Sequence, residues 1–148
     1  MERIERLFPR YDDKGKAMIY KAFCIAEKAL SEQKRSNGAP FIEHPVAVAC
    51  IAYDEIGLSA ECINAVFLHE ATRFFPETDI MSEGFGKDVY TIVDGLNKIS
   101  TIKPKDTRLE AENYKKLIVS YSRDPRVTVL KIADRLEVMR SLDMFPKL

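Results

Sequence analysis

Proline and glycine divide this 148-residue chain into short segments, and in most of them the apolar residues recur with the 3.6-residue period of an α-helix. In the first long segment the spacing is i, i+4, i+7, i+8 and i+11, as seen in Met18, Ala22, Ile25, Ala26 and Ala29. This stripe predicts an amphipathic helix over about residues 16–30. The polar stretch 31–40, which contains an Asn-Gly turn signal, ends it.

Capping residues and helix breakers place the next two helices. Pro45 suits the first turn of a helix over residues 46–56, and Gly57 stops that helix. Ser59 is a suitable N-cap for a third helix, which reaches about residue 72. Apolar residues surround most of this third helix, so we expect it to be central. The sequence Phe74-Phe75-Pro76 breaks it, because proline disfavours helical backbone in the residue before it.

The second half of the chain continues the helical pattern. Residues 76–86 predict a loop with a short helix in it, and apolar side chains at positions 89, 92, 93 and 96 mark another helix. Residues 109–122 favour a helix as well, and Asp124-Pro125 is an N-cap and first-turn pair that opens a final helix to about residue 142. The predicted fold class is therefore all-α, a bundle of roughly seven helices that forms one domain over residues 1–148.

Composition excludes several classes of protein. A hydrophobic content of 46% excludes a fully disordered chain, and a net charge of zero excludes a wholly basic nucleic-acid binder. No apolar run approaches the ~20 residues of a membrane span, and the charged N-terminus lacks the apolar core of a signal peptide. The three cysteines, Cys24, Cys50 and Cys62, lack zinc-type spacing. We expect a cytoplasmic protein with reduced thiols and no membrane partner.

The zero net charge conceals an asymmetry between the two parts of the chain. Residues 1–96 carry 11 basic and 16 acidic side chains, whereas residues 97–148 carry 12 basic and 7 acidic ones. A molecule polarised in this way can present its basic part to a phosphate-rich ligand, to RNA or to an acidic protein. Ordinary solvated helix surfaces explain the same pattern. The sequence leaves both interpretations open.

The chain has only two histidines, and their surroundings suggest a site. His69 is followed at once by Glu70 on the helix expected to be most buried, and His44 lies between two prolines. Asp134 shares a stripe with the apolar residues of the last helix, so its carboxylate needs a cation, a metal ion or several hydrogen-bond donors. Two imidazoles and two carboxylates would suit a divalent metal ion, although two hydrogen-bonded core histidines are the plainer interpretation.

The order of these residues resembles the HD superfamily of metal-dependent phosphohydrolases. The flanking segments are more specifically similar to the hydrolase domain of RelA/SpoT homologues, the enzymes that make and degrade the alarmone (p)ppGpp. The segments that carry the resemblance are RSNGAPFIEHPVAVA (35–49), AVFLHE (65–70), FGKDVYTIVDGLNKIS (85–100), AENYKKLIV (111–119) and DPRVTVLKIADRLEVMRSL (124–142). They cover most of the chain from about residue 17, and the stretch that ends in KIADRLEVMRSL is the most specific.

The resemblance implies roles for particular residues of this chain. The metal ligands of the family fall on His44, His69, Glu70 and Asp134. Its nucleotide-binding positions fall on Arg35, Ser36 and Ser141, with Arg35 as the arginine that stacks on guanine. A solvated loop arginine is the alternative interpretation of Arg35.

Departures from the family pattern affect the same pocket. The active form has Asp after the second histidine, then a Glu-Asp pair three and four residues on, where this chain has Glu70, Arg73 and Phe74. Arginine cannot act as a general base, and phenylalanine has no group that transfers a proton. Glu137 and Val138 replace the His-Asn of the family's DRLHNMR motif. Arg73 can instead pair with Glu70 or Asp134, or lie in solvent at the helix end.

These departures predict a domain that no longer hydrolyses (p)ppGpp. We expect it to serve as the regulatory and structural N-terminal part of a longer (p)ppGpp synthetase of the GTP pyrophosphokinase type. Its partners would then be its own synthetase domain, a guanine nucleotide such as (p)ppGpp and, through the full-length protein only, the ribosome or RNA. We expect no cofactor, or a divalent metal such as manganese held weakly.

Two alternatives belong to other classes. An active metal-dependent 3′-pyrophosphohydrolase would need Glu77, Asp79 or Glu83 to replace the lost acidic pair. A helical interaction domain would use the basic part of the chain to bind RNA or an acidic protein, and salt-sensitive binding would identify it.

Overall fold

The fold consists of α-helices joined by turns. The computed structural model describes residues 1–35, 37–80, 82–100, 115, 119 and 123–141, with side chains omitted at 99 and 100. Six α-helices lie within these residues: α1 (Glu2–Leu7), α2 (Asp13–Ala29), α3 (Glu43–Ile51), α4 (Ala60–Phe74), α5 (Lys87–Ser100) and α6 (Pro125–Arg140). Extended pairing within the described ranges is limited to one isolated bridge between Lys34 and Pro40. The all-α prediction is confirmed.

The N-terminal part contains more helix than the sequence analysis predicted. α2 begins three residues before the predicted start, because Asp12 acts as its N-cap and accepts a bond from the Gly15 amide at 2.7 Å. α1 was not predicted, and it is held by Ile4, which is buried, and by Phe8 just after its end. The apolar stripe of α2 is as predicted, with Ile19, Ala22, Phe23 and Ala26 buried.

The second predicted helix divides into two types of helix. α3 starts at Glu43, so Pro45 lies in its first turn as predicted. It continues into a π-helical segment, Ala52–Ile56, that ends at Gly57. Gly57 has a φ of +77°, a left-handed conformation that glycine adopts without steric cost, which explains why the helix stops there.

The third helix, α4, is central, as its apolar circumference predicted. It packs against α2 on one side and α5 on another. Ser59 occupies the N-cap position, but its hydroxyl contacts the Cys62 thiol at 3.7 Å and caps no amide. The helix reaches Phe74, two residues past the predicted end and still before Pro76. Its last turns carry the two residues of the sequence motif, His69 and Glu70, into the interior.

The loop after α4 returns the chain to α5. The described residues of this loop form turns, so the short helix predicted within 76–86 was wrong for them. Ile80 and Phe85 anchor the loop because both are buried. In α5, the predicted apolar residues at 89, 92, 93 and 96 are all buried, which confirms that helix.

The last helix, α6, begins as predicted. The Asp124 carboxylate accepts a bond from the Arg126 amide at 3.1 Å, and Pro125 occupies the first turn. The helix packs against α3, with a closer approach to α5 at Gly95. The predicted helix over 109–122 lies outside the described residues apart from positions 115 and 119, and so does the predicted end of α6 at 142.

Candidate metal centre and its surroundings

A cavity of about 240 Å³ lies where α3, α4 and α6 meet. Its acidic and imidazole lining consists of His44, His69, Glu70 and Asp134, from three different helices. Three cations, Arg35, Arg73 and Lys131, and two apolar side chains, Phe41 and Val138, complete it. The four residues expected to bind a metal therefore line one cavity, although the two histidines and Asp134 are far apart in sequence.

His44 lies in the first turn of α3 and is only 4% exposed. Its Nε2 atom lies 2.6 Å from Asp134 Oδ1, and its Nδ1 atom bonds to the carboxylate of Glu137. Burial opposes protonation of this imidazole. Because the bonds to Asp134 and Glu137 favour the protonated form more strongly, they raise the pKa of His44 above its ordinary value.

Asp134 is half-buried on α6 and lies between Lys131 and His44. Lys131, one turn earlier, has its ammonium 3.8 Å from Oδ2, and His44 occupies Oδ1. Burial tends to raise the pKa of Asp134, but the bond and the charge of His44 lower it below its ordinary value. Arg73 was one of the partners of Asp134 considered from the sequence. Lys131 is near it, His44 bonds to it, and Arg73 pairs elsewhere.

Glu137 is the residue that the sequence analysis missed. It was considered only as the loss of a histidine, yet it is 6% exposed and accepts bonds from three side chains. Arg35 donates from both terminal nitrogens, at 2.8 and 3.1 Å, and the Ser141 hydroxyl and His44 also bond to it. Burial opposes its ionisation, but these donors hold the pKa of Glu137 below its ordinary value. A glutamate inside the apolar run of α6 was the signal in the sequence.

Two of the three residues expected to bind a nucleotide contact Glu137. Arg35 is almost fully buried, and its guanidinium bonds to Glu137. Ser141 bonds to the same carboxylate. Ser36 lies outside the described residues. Whether Arg35 still stacks on a guanine ring stays a prediction.

His69 lies on α4 with its ring held by α5. Its Nδ1–H donates to Asn97 Oδ1 at 2.9 Å, and the amide of Asn97 in turn donates to the Thr72 hydroxyl at 3.2 Å. Its Nε2 atom lies 3.9 Å from Glu70 Oε1. Burial lowers the pKa of His69 below its ordinary value, so the ring is neutral near pH 7. Asn97 was not identified from the sequence, which offers no local signal for it.

Glu70 and Arg73 form an ion pair one helical turn apart. The Arg73 Nη1 atom donates to Glu70 Oε2 at 2.9 Å, while the other carboxylate oxygen faces His69. Glu70 is 2% exposed, whereas the side chain of Arg73 is 46% exposed. The next residue, Phe74, packs edge-on against Phe41, with ring centroids 5.9 Å apart. The positions where the family has its acidic pair are thus occupied by a paired cation and an aromatic ring.

The donor set fits a divalent metal ion. One ligand atom from each of His44, Glu70 and Asp134 can be chosen so that all three lie within 4.8 Å of one another. Imidazole nitrogen and carboxylate oxygen together suit several first-row divalent ions. In both histidines Nδ1 bonds to an acceptor on another helix, an arrangement that usually orients Nε2 of a metal-binding histidine.

The acidic residues of the loop after α4 lie away from this cavity. Asp79 lines a neighbouring cavity of about 500 Å³ between α4, the loop and α5, and it accepts a bond from the Ser82 amide at 3.1 Å. Glu83 pairs with Lys21, 3.4 Å away, and Glu77 is exposed. None of these three acids lines the cavity that holds His44 and Asp134.

Comparison with known proteins agrees with this arrangement. Residues 22–147 match the HD domain family. The chain is 38% identical over 145 residues to a guanosine-3′,5′-bis(diphosphate) 3′-pyrophosphohydrolase of Aquifex aeolicus, covering 97% of this chain and 20% of that protein. It is 40% identical over 126 residues to the bifunctional (p)ppGpp synthase/hydrolase SpoT of Escherichia coli, covering 84% and 18%.

A third relative is named as a pyrophosphokinase rather than as a hydrolase. The chain is 35% identical over 137 residues to a probable GTP pyrophosphokinase of Mycobacterium leprae, covering 92% of this chain and 17% of the relative. The chain thus spans about a fifth or less of the length of these curated relatives. In the part of the chain that the structure describes, no helix is both long enough and apolar enough to cross a bilayer. The chain belongs to the HD domain family, as the HD domain of a RelA/SpoT-type protein.

Proposed function

We propose that this chain is a degenerate (p)ppGpp hydrolase domain that no longer hydrolyses the alarmone. It acts as a regulatory and structural module of a longer (p)ppGpp synthetase of the GTP pyrophosphokinase type in the stringent response. The names of the relatives support the hydrolase family and the synthetase context, because they include a hydrolase and a pyrophosphokinase. The residues around the cavity favour the loss of hydrolysis.

The ion pair between Arg73 and Glu70 is the observation that carries the proposal. Hydrolysis needs a group that takes a proton from the attacking water. A guanidinium stays protonated at any physiological pH, and Phe74 has no titratable group. Within the cavity, Glu70 is engaged by Arg73, while Asp134 lies against His44 and Lys131. Each carboxylate that lines the cavity among the described residues is therefore already engaged by a cation or an imidazole.

A divalent ion would be held by His44, His69, Glu70 and Asp134. When bound, it would polarise a phosphate oxygen and lower the pKa of a coordinated water. Arg73 and Lys131 place two positive charges at the cavity, and each opposes a dication. We therefore expect a manganese ion to bind weakly and to be lost during purification.

An active hydrolase would need a replacement acid from the loop. Asp79 and Glu83 are engaged in other contacts, and Glu77 lies outside the cavity. The structure therefore offers no specific support for that alternative in its described residues.

The test is a (p)ppGpp hydrolysis assay on the 148-residue chain with Mn²⁺ in excess. We expect no turnover above the uncatalysed rate. The double substitution Arg73→Glu and Phe74→Asp should recover little activity, because Glu70 and Val138 remain, and residues that act as one catalytic unit are strongly non-additive. Robust pyrophosphate release by the unmodified chain would refute the proposal.

A further inference from the structure

The imidazole of His44 lies between two carboxylates of the same helix. Asp134 Oδ1 is 2.6 Å from Nε2, and Glu137, three residues along α6, bonds to Nδ1. Glu137 is held in place by the two bonds from Arg35 and one from Ser141. It is not one of the residues whose ligand atoms converge on the candidate metal centre. Its carboxylate contacts the candidate ligand His44 through Nδ1 of the ring.

The two carboxylates compete for a single hydrogen when the ring is neutral. Neutral imidazole carries one N–H, which lies on either Nδ1 or Nε2. With the hydrogen on Nε2, the ring bonds to Asp134 and has no lone pair for a metal ion at the convergent position. With the hydrogen on Nδ1, the ring bonds to Glu137, and the lone pair of Nε2 faces Asp134 Oδ1. Only the second tautomer can bind a cation there.

We propose that Glu137 is a positioning residue that keeps the hydrogen of His44 on Nδ1 and so makes Nε2 available to a divalent cation. The proposal rests on the metal centre of the proposed function and deepens it. Arg35 and Ser141 fix the orientation of the Glu137 carboxylate, whereas Asp134 is more exposed and faces Lys131. Glu137, which stands where the family's motif has a histidine, thus has a role in the site.

The experiment reads the tautomer directly. The chain contains only two histidines, so long-range ¹⁵N–¹H spectra of the metal-free protein resolve both rings. At a pH at which both are neutral, we expect the His44 hydrogen on Nδ1 in the unmodified chain. Glu137→Leu removes the acceptor, and we expect the hydrogen to move to Nε2, toward Asp134. Glu137→Gln keeps an acceptor oxygen and should keep most of the Nδ1 form.

Metal affinity provides the second measurement. Calorimetric titration with Mn²⁺ should give a Kd about 10–100-fold higher for Glu137→Leu, as is typical when a residue that orients a metal ligand is removed. For Glu137→Gln we expect a smaller rise. The matched control is Glu55→Gln, which breaks a bidentate pair with Arg140 on the exposed surface and should change neither the tautomer nor the Kd.

The possible outcomes separate this proposal from the proposed function. A His44 hydrogen on Nε2 in the unmodified chain would overturn the positioning role, as would an unchanged tautomer in Glu137→Leu. If Glu137→Leu fails to fold, the Gln variant still decides, because a shift of the hydrogen toward Nε2 supports the role and an unchanged tautomer refutes it. Turnover of (p)ppGpp by the unmodified chain would refute the proposed function and leave the tautomer result standing.

Discussion

Arg73 is the residue whose replacement should change metal binding most directly. Its guanidinium donates to Glu70 at 2.9 Å and lines the cavity with the candidate ligands. The substitution Arg73→Gln removes the charge, and the amide of Gln can still donate to Glu70. It therefore separates the electrostatic effect of Arg73 from its effect on the orientation of the carboxylate.

The expected magnitude follows from the geometry. A divalent ion lies ~2 Å from its ligand atoms, so an ion on the free oxygen of Glu70 would lie roughly 6 Å from the Arg73 guanidinium. At that distance, charges of +1 and +2 repel by ~1.4 kcal/mol if the medium screens as water does. The side chain of Arg73 is 46% exposed, so screening close to that of water applies. We therefore expect Mn²⁺ to bind about tenfold more tightly to the variant.

The assay is calorimetric or spin-resonance titration with Mn²⁺ at fixed ionic strength. Arg140→Gln is a matched control, because it removes an arginine that pairs with an acid on the exposed surface, outside the cavity. It should leave the Kd unchanged. Weaker binding by Arg73→Gln would mean that the arginine supports the site by orienting Glu70, and an unchanged Kd would mean that its charge is irrelevant. Either result would refute the reasoning.

Three further predictions concern the scaffold. A Cβ on Gly95 would lie 2.7 Å from a methyl carbon of Val127. Gly95→Ala should therefore lower the free energy of unfolding by about 1 kcal/mol, because the clash outweighs the gain in helix propensity. Adding Val127→Ala should relieve the clash, and urea denaturation can measure both effects. Asp124→Ala should cost ~0.5–2 kcal/mol at pH 7 because it removes the cap of α6. The bond from Arg126 lowers the pKa of Asp124 in the folded protein. The contribution of the carboxylate to stability is therefore complete above the unfolded pKa of ~3.9 and is lost as the pH falls through the folded pKa. The Ala variant should lose less stability in acid than the unmodified chain. Burial raises the pKa of Tyr11 to about 12. The stability that the neutral phenol contributes is complete below its unfolded pKa of ~10 and is lost as the pH rises from ~10 toward the folded value. The free energy of unfolding of Tyr11→Phe should therefore depend less on pH over this interval.

The sequence predicted those parts of the fold that depend on local signals. Asp124-Pro125 identified the start of α6, and Gly57 identified the end of the π-helical segment, because each acts on its own turn of backbone. α1 was missed because its six residues contain too few apolar positions to show a period. Its stability comes from tertiary packing, as is general for short helices. The π-helical geometry of residues 52–56 likewise has no signature in the sequence.

The candidate site shows the same division between local and distant information. The family resemblance identified His44, His69, Glu70 and Asp134, and the fold places them around one cavity. The bonds that orient the two rings involve residues 93 and 28 positions away, respectively. No spacing rule connects residues so far apart, since only the packing of α6 on α3 and of α5 on α4 brings them together. For that reason the sequence could mark Glu137 as an acid within an apolar run, but it could not pair Glu137 or Asn97 with its histidine.

Three of the departures from the family pattern take part in ion pairs. Arg73 pairs with Glu70, and Glu137 accepts two bonds from Arg35, so each of these three residues contacts a charged side chain of the cavity. Removing one member of a buried ion pair typically costs ~3–5 kcal/mol, because the other charge stays in a poor solvent. Changing Glu137 alone to the histidine of the family would remove the carboxylate to which the buried Arg35 donates.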